Sequence, residues 1–177
     1  MYMGTKLKVG VNPVSQKNMY LFLTEDRATK DYIDEGELLK QLKHLLAEFS
    51  ATVVSDLRER LSSASQIVYR PLEALILPLP WYKDRVVFLG DAAHATTPHL
   101  AAGAGLGVED ALVLAEELNN ANSLKGALDA FQTRRFDRCS MVVKNSLRLG
   151  EIEQTGGSKE EHAQIMRDSF ELMVAPI

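Results

Sequence analysis

The sequence predicts an α+β fold, with antiparallel strands at its start and helices over its second half. Three observations predict this. Residues 6–11 (KLKVGV) and 19–23 (MYLFL) alternate around a segment rich in turn formers, which is the pattern of a β-hairpin. Residues 86–89 (VVFL) form an unbroken apolar run that stops at Gly90, as expected for a strand buried on both faces, the form found in parallel sheets. From Val108 onward the apolar spacing and composition are helical.

The elements follow in order. Asn12–Asn18 connects the first two strands, and an isolated hairpin is marginal in water, so these strands need further partners. A polar stretch from Thr24 to Gly36 precedes a helix whose apolar face is Leu38, Leu39, Leu42, Leu45, Leu46 and Phe49. A short helix is expected over Val53–Leu61. Two strands are expected at Gln66–Arg70 and Ala74–Leu77, around Pro71. Trp81–Asp84 reads as a turn and Arg85–Leu89 as the buried strand. Helices are expected over Val108–Leu118 and from Leu124 to about Leu149, the second as one helix or two. Gly156-Gly157 is a break, and Ser158-x-x-Glu161 resembles a capping box opening a last helix to about Val174.

Composition limits the function. The chain has 177 residues, 46% of them apolar, enough for a real core. Twenty Lys and Arg against 24 Asp and Glu give a net charge of −4. That balance argues against nucleic acid or an anionic membrane as main partner. Cys139 is the one cysteine, so no internal disulfide forms and a reducing, cytoplasmic setting is expected. The N-terminal residues lack the pattern of a signal peptide. The apolar region Leu75–Trp81 is broken by Pro78 and Pro80, and no stretch reaches the roughly 20 apolar residues of a membrane span.

Chemistry concentrates between Val86 and Ala111. A strand running into Gly90 and Asp91 places a carboxylate where ligands sit in open α/β sheets, beyond the strand's carboxyl end. Asp91 there can accept hydrogen bonds from a polyol. Gly103, Gly105 and Gly107 lead into a helix. Glycines let backbone approach a ligand, and a helix start offers free N–H groups and the positive end of a dipole. A cofactor with a polyol arm and a ring that carries negative charge when reduced fits this combination, and flavin is one. Taken singly, Asp91 reads as a helix N-cap, the glycines as a loop, and His94 and His99 as a core and a surface residue. The glycines do not form Gly-x-Gly-x-x-Gly, because position 108 is Val. Glu109 and Asp110 read as acids favoured in a first helical turn.

The ordered set Gly90-Asp91-Ala92-Ala93-His94, Pro98, Gly103-Ala104-Gly105 and Glu109-Asp110-Ala111 with Leu114-Ala115 resembles the second FAD motif of the flavin-dependent aromatic hydroxylases. These are the single-component monooxygenases of the para-hydroxybenzoate hydroxylase fold, and the spacing from Pro98 to Gly103 is most similar to the salicylate-hydroxylase-like branch. The resemblance implies a partial FAD/NAD(P)-binding fold of that type: a substrate-domain sheet plus C-terminal helices, lacking the N-terminal Rossmann βαβ unit. It divides the chain into a remainder of the substrate-binding sheet domain with helices (1–80), a C-terminal FAD-binding segment (81–120) and C-terminal helices (121–177).

The resemblance also implies roles. Gly90 and Asp91 would hold the ribityl or ribose-side hydroxyls of FAD, and Pro98 would line the isoalloxazine ring. Gly103, Ala104, Gly105, Leu106 and Gly107 would bring backbone N–H groups to its pyrimidine edge. The implied reaction is hydroxylation of a small aromatic, phenolic substrate with NAD(P)H and O2. The family's Gly-x-Gly-x-x-Gly unit has no counterpart in residues 1–90, and Ala102 stands where this branch usually has Gln. The expectation is therefore a chain matching the C-terminal part of the family, inactive alone and a poor binder of FAD alone for want of the pyrophosphate and adenosine sites, that self-associates or pairs with the N-terminal half. No side chain stands out as catalytic. Tyr2, Tyr69 and Arg70 read equally as substrate-lining or packing residues. Two alternatives remain: a non-catalytic binding domain of the same descent, and a metal-dependent enzyme using Asp91, His94 and His99.

Overall fold

The expected hairpin is present in the computed structural model, which describes residues 1–4, 6–27, 29 and 31–177. β1 (Tyr2–Met3), β2 (Leu7–Pro13) and β3 (Met19–Glu25) form an antiparallel sheet in that order. Val9 faces Leu23, and Gly10 faces Phe22. A Cβ at position 10 would come within 2.3 Å of the Phe22 ring, so this register needs a glycine there. β1 was not expected, because two residues carry no readable alternation. Thr5, within the N-terminal reading, and Ala28 and Lys30, within the polar stretch, lie outside the described residues.

The chain divides into two compact units, Met1–Pro71 and Leu72–Ile177. In the first, α1 (Glu35–Leu46) starts at Asp34, whose carboxylate accepts the Gly36 N–H at 2.9 Å. α2 covers Thr52–Arg60. Val9 of the sheet, Leu46 of α1 and Val54 of α2 are buried together, with Leu21, Leu23, Leu42 and Phe49 packed around them. The apolar faces read from alternation in the strands and from helical spacing in α1 thus meet in one core.

Two expectations fail in residues 66–89. Gln66–Arg70 and Ala74–Leu77 are not strands of a sheet. Instead Leu75 donates its N–H to Ala95 O at 2.8 Å, and Leu77 to Ala93 O at 2.9 Å. Pro71, Pro78 and Pro80, which lack N–H groups, interrupt any longer ladder. The Arg85–Leu89 run is not buried on both faces. Only Val86–Val87 (β5) pairs, antiparallel with Tyr82–Lys83 (β4). Val87 and Leu89 pack on the core while Val86 and Phe88 are exposed, so burial alternates and one face is covered.

The rest of the second unit is helical: α3 (Asp91–His94), a 3-10 turn at Pro98–Leu100, α4 (Gly103–Asn120), α5 (Leu124–Thr155) and α6 (Lys159–Val174). α5 is one helix of 32 residues, ended by Gly156 in the left-handed conformation. Ser158 Oγ accepts the Glu161 N–H at 3.1 Å and opens α6, as the sequence predicts. Trp81, Leu106, Val113, Phe131, Val142 and Leu149 form the core. α4 begins five residues before the expected Val108, at the glycines read as loop.

Candidate functional site

One cleft of about 640 Å³ lies on the second unit, a size suited to a small organic group. Three pieces of backbone build it. The first is the turn after β5. Gly90 has φ +57° and ψ −140°, and its carbonyl accepts the N–H groups of Ala93 and His94 at 2.9 and 2.8 Å. That places Asp91, the first residue of α3, exposed at the cleft. Asp91 makes no N-cap hydrogen bond in α3, where the cap position is Gly90. The second piece is Thr97-Pro98, where the 3-10 turn starts, and Ala101, where it ends with φ +52°.

The third piece is the start of α4. Ala102, Gly103, Ala104 and Gly107 line the cleft. No side chain caps this end and its first turn holds no acid. The leading N–H groups therefore have no intrahelical partner, and the positive end of the dipole is not neutralised by a carboxylate.

Of the sequence-predicted site residues, Gly90, Asp91, Pro98, Gly103, Ala104 and Gly107 come together on the cleft. Gly105 is exposed on α4 but is not among the lining residues. Leu106 is buried in the core. The division follows from helix geometry, which turns successive residues by about 100° and so aims 105 and 106 away from the face shared by 103, 104 and 107.

Behind the cleft lies a buried charge network that the sequence reading did not find. Asp110 and Arg135 are fully buried. Asp110 Oδ2 accepts the Gly90 N–H at 2.8 Å and lies 2.6 Å from His94 Nε2. Its Oδ1 accepts from Arg135 Nε at 2.8 Å. Arg135 Nη2 lies 2.8 Å from Glu109 and 3.6 Å from Cys139 Sγ. Glu109 and Asp110 are thus not first-turn acids. With α4 starting at Gly103 they fall in its second turn and point at α5. The signal available was two adjacent acids on one helix and Arg134-Arg135 with Arg138 on the next.

Burial works against the charged form of His94, but the hydrogen bond to Asp110 and the nearby Cys139 outweigh it and raise its pKa to about 9. Burial likewise opposes the Asp110 carboxylate. The contacts with His94, the Gly90 N–H and Arg135 overcome this and hold its pKa below the usual carboxylate value.

A family model described as FAD binding domain matches residues 7–146. The chain belongs to this FAD-binding family. The Bacillus subtilis protein YetM is 36% identical over 143 residues, covering 80% of this chain and 38% of its own length. The FAD-dependent monooxygenase SAT7 of Stachybotrys chartarum is 34% identical over 170 residues, covering 86% of this chain and 36% of its own length. The chain thus spans less than two-fifths of these relatives. The crystal structure of Klebsiella pneumoniae HpxO complexed with FAD and uric acid superposes with a TM-score of 0.73 at 24% identity, covering 98% of this chain and 43% of that one. The fold is therefore a mixed α and β fold shared with part of that FAD-bound structure.

The cleft suits the family's cofactor. A Cβ on Gly90 would lie 3.9 Å from Gly107 Cα, so the two backbones approach closely and form a stretch of cleft floor bare of side chains. The exposed Asp91 carboxylate can accept from hydroxyls, and the unblocked start of α4 can face a ring carbonyl. A metal site of Asp91, His94 and His99 is not assembled. Asp91 faces the cleft, His94 is buried on Asp110, and His99 Nδ1 lies 2.9 Å from Thr97 Oγ1 with its Nε2 3.7 Å from Glu153. His94, Asp110 and Cys139 do converge, with ligand atoms within 4.8 Å of one another. The Arg135 guanidinium already supplies the cation there, so this donor set does not fit a metal ion.

Proposed function

We propose that the chain supplies the isoalloxazine-facing part of the FAD site of a monooxygenase that hydroxylates a small aromatic substrate, with NAD(P)H as reductant. One observation carries this reading: in a member of the FAD-binding family, the Gly90-Asp91 turn and the uncapped start of α4 meet on a single cleft. The name of SAT7 as a FAD-dependent monooxygenase and the FAD and uric acid held by HpxO support the reaction and substrate class.

FAD, when bound, supplies the electron transfer and the oxygen chemistry. The residues of this chain bind and orient. Asp91 accepts hydrogen bonds from the polyol arm. Pro98 and Ala101 wall the ring side of the cleft. The N–H groups at the start of α4 favour negative charge on a ring oxygen, a preorganised electrostatic contribution. Hydroxylation by this chain alone is not expected, so binding is measured apart from turnover. Val86, Phe88, Val108 and Leu112 are exposed, and uncovered apolar side chains favour self-association.

The test is titration of the purified chain with FAD and, separately, riboflavin, followed by flavin fluorescence. Both are expected to bind with similar affinity, and Asp91→Ala to weaken riboflavin about tenfold through loss of a charge-assisted hydrogen bond. No binding of either flavin, or an unchanged affinity in Asp91→Ala, contradicts the reading. Light scattering reads the self-association directly, as a mass that is a multiple of 19.7 kDa.

A further inference from the structure

The backbone of Gly90 is held on both sides by residues that contact each other, His94 and Asp110. Its carbonyl accepts the His94 N–H at 2.8 Å. Its N–H donates to Asp110 Oδ2 at 2.8 Å, and the His94 ring nitrogen lies 2.6 Å from that same oxygen. Gly90 adopts φ +57° and ψ −140°, a region open to glycine and closed to residues with a Cβ, and because glycine is free to leave it, hydrogen bonds are what fix the turn. The next residue is Asp91. Asp110 itself never reaches the cleft: it is fully buried and its other oxygen is fixed by Arg135.

We propose that Asp110 is the positioning residue of the cleft, fixing through the Gly90 N–H the turn that presents Asp91, with His94 and Arg135 holding its carboxylate in place. A charge-assisted hydrogen bond in a buried site is stronger and more directional than a neutral one, and a carboxylate with fixed neighbours cannot swing away. The orientation of Asp91 is then set by residues of α4 and α5, not by the turn alone.

The groups around His94 make the device open to measurement. From α4 it faces Asp110, and from α5 it faces Cys139, with Arg135 bridging the two. The Trp81 ring lies 5.4 Å from the imidazole, centroid to centroid. Glu109 reaches this group only through Arg135. Protonation of His94 therefore changes the charge felt by Asp110, and Asp110 reports it to Gly90.

The inference rests on the flavin reading only for what Asp91 binds, and its test separates the two. The first readout needs no flavin. In amide NMR spectra of the free chain between about pH 6 and 10, the Gly90 amide proton is expected downfield and titrating with the same midpoint as the His94 ring. His94→Gln, which keeps a side-chain donor, is expected to leave the Gly90 amide downfield and abolish its titration. Asp110→Asn is expected to shift it upfield and speed its solvent exchange at least about tenfold.

The second readout is riboflavin affinity in a double-mutant cycle. Asp91→Ala and Asp110→Asn are each expected to weaken binding about tenfold, and the double variant scarcely more than either single one, because the second change removes what the first already lost. A purely structural role for Asp110 gives additive losses instead. A Gly90 amide that ignores Asp110→Asn, a titration that persists in His94→Gln, or an additive cycle overturns the proposal. If Asp110→Asn does not fold, the His94→Gln titration decides. If the wild-type chain binds no riboflavin, the flavin reading fails while the Gly90 amide still judges Asp110.

Discussion

Arg138 and Glu109 form a two-point ion pair between α5 and α4, with Nη2 2.8 Å from Oε1 and Nε 2.9 Å from Oε2. The remaining donors of Arg138 go to the carbonyls of Leu172, Met173 and Ala175 at the end of α6. One guanidinium thus satisfies the orphan carbonyls of one helix and pairs with an acid two helices away. Arg138→Ala is expected to destabilise the chain by about 3 kcal/mol, because it takes from the partly buried Glu109 one of its two guanidinium partners and strands several carbonyls. Arg138→Lys is expected to recover less than half of that, since an ammonium cannot serve the fork and the carbonyls at once. Urea unfolding followed by Trp81 fluorescence measures both, and equal stability of Arg138→Ala and wild type would contradict the assignment.

Gly90 and Gly107 lie against each other on the cleft floor, but only Gly90 needs glycine. A Cβ at Gly107 would meet Gly90 Cα at 3.8 Å, an ordinary contact, and Gly107 sits in regular helix. At Gly90 a Cβ would likewise make only an ordinary contact, 3.9 Å from Gly107 Cα, but φ is +57°. Gly90→Ala is therefore expected to cost about 1–3 kcal/mol through backbone strain, and to weaken flavin binding as the turn relaxes. Gly107→Ala is expected to be neutral or stabilising by up to about 1 kcal/mol, from helix propensity. Thermal melts rank the two, and the reverse order would show that space, not backbone conformation, governs this turn.

The hairpin was legible because its two faces differ in polarity: Val9 and Leu23 point to a core while Lys8 and Thr24 pair opposite each other on the other face. The cleft was legible as a set, since Gly90, Asp91, Pro98 and the glycines of α4 are unusual in that order. The start of α4 was not. Gly103, Gly105 and Gly107 each disfavour helix by about 1 kcal/mol, and burial of Leu106 and Asp110 outweighs that only in the folded chain. The 86–89 run was misread because four apolar residues look alike whether one face or both is covered. The Asp110 network could not be read at all: its partners lie 16, 20 and 25 residues away, and linear spacing carries no sign that they meet.

Trp81 ties the segment before the cleft to α5. It is fully buried, its ring NH donates to Leu77 O at 3.0 Å, and its backbone N–H donates to Gln132 Oε1 at 2.9 Å. Its ring centroid lies 5.7 Å from that of Phe136 and 6.4 Å from that of Phe131. Trp81→Ala is expected to cost about 3–5 kcal/mol from lost burial and the cavity left behind. Trp81→Phe keeps much of the volume but leaves the Leu77 carbonyl without its donor, and is expected to cost about 2 kcal/mol. Chemical denaturation followed by circular dichroism reads both variants, and a cost under about 1 kcal/mol for Trp81→Ala would mean the site can collapse onto its neighbours.

The His94–Asp110 pair also sets how stability depends on pH. The folded pKa of His94, about 9, lies above its ordinary value of 6.5. Between those values the folded chain binds a proton that the unfolded chain has released, so stability falls as pH rises. The contribution is full below about pH 6.5 and gone above about pH 9. Asp110 acts at the other end. Its pKa is depressed, so its contribution is present above the ordinary carboxylate value and is lost as pH falls through the folded one. Stability is thus expected to be greatest between the carboxylate range and about pH 6.5, with a steady decline toward pH 9. In His94→Gln the alkaline decline is expected to flatten while the acid limb, carried by Asp110, remains. Urea midpoints taken from about pH 5 to pH 10 measure this. A wild-type midpoint that stays level across the alkaline range would mean that His94 is neutral in the folded chain and that Arg135 alone balances Asp110.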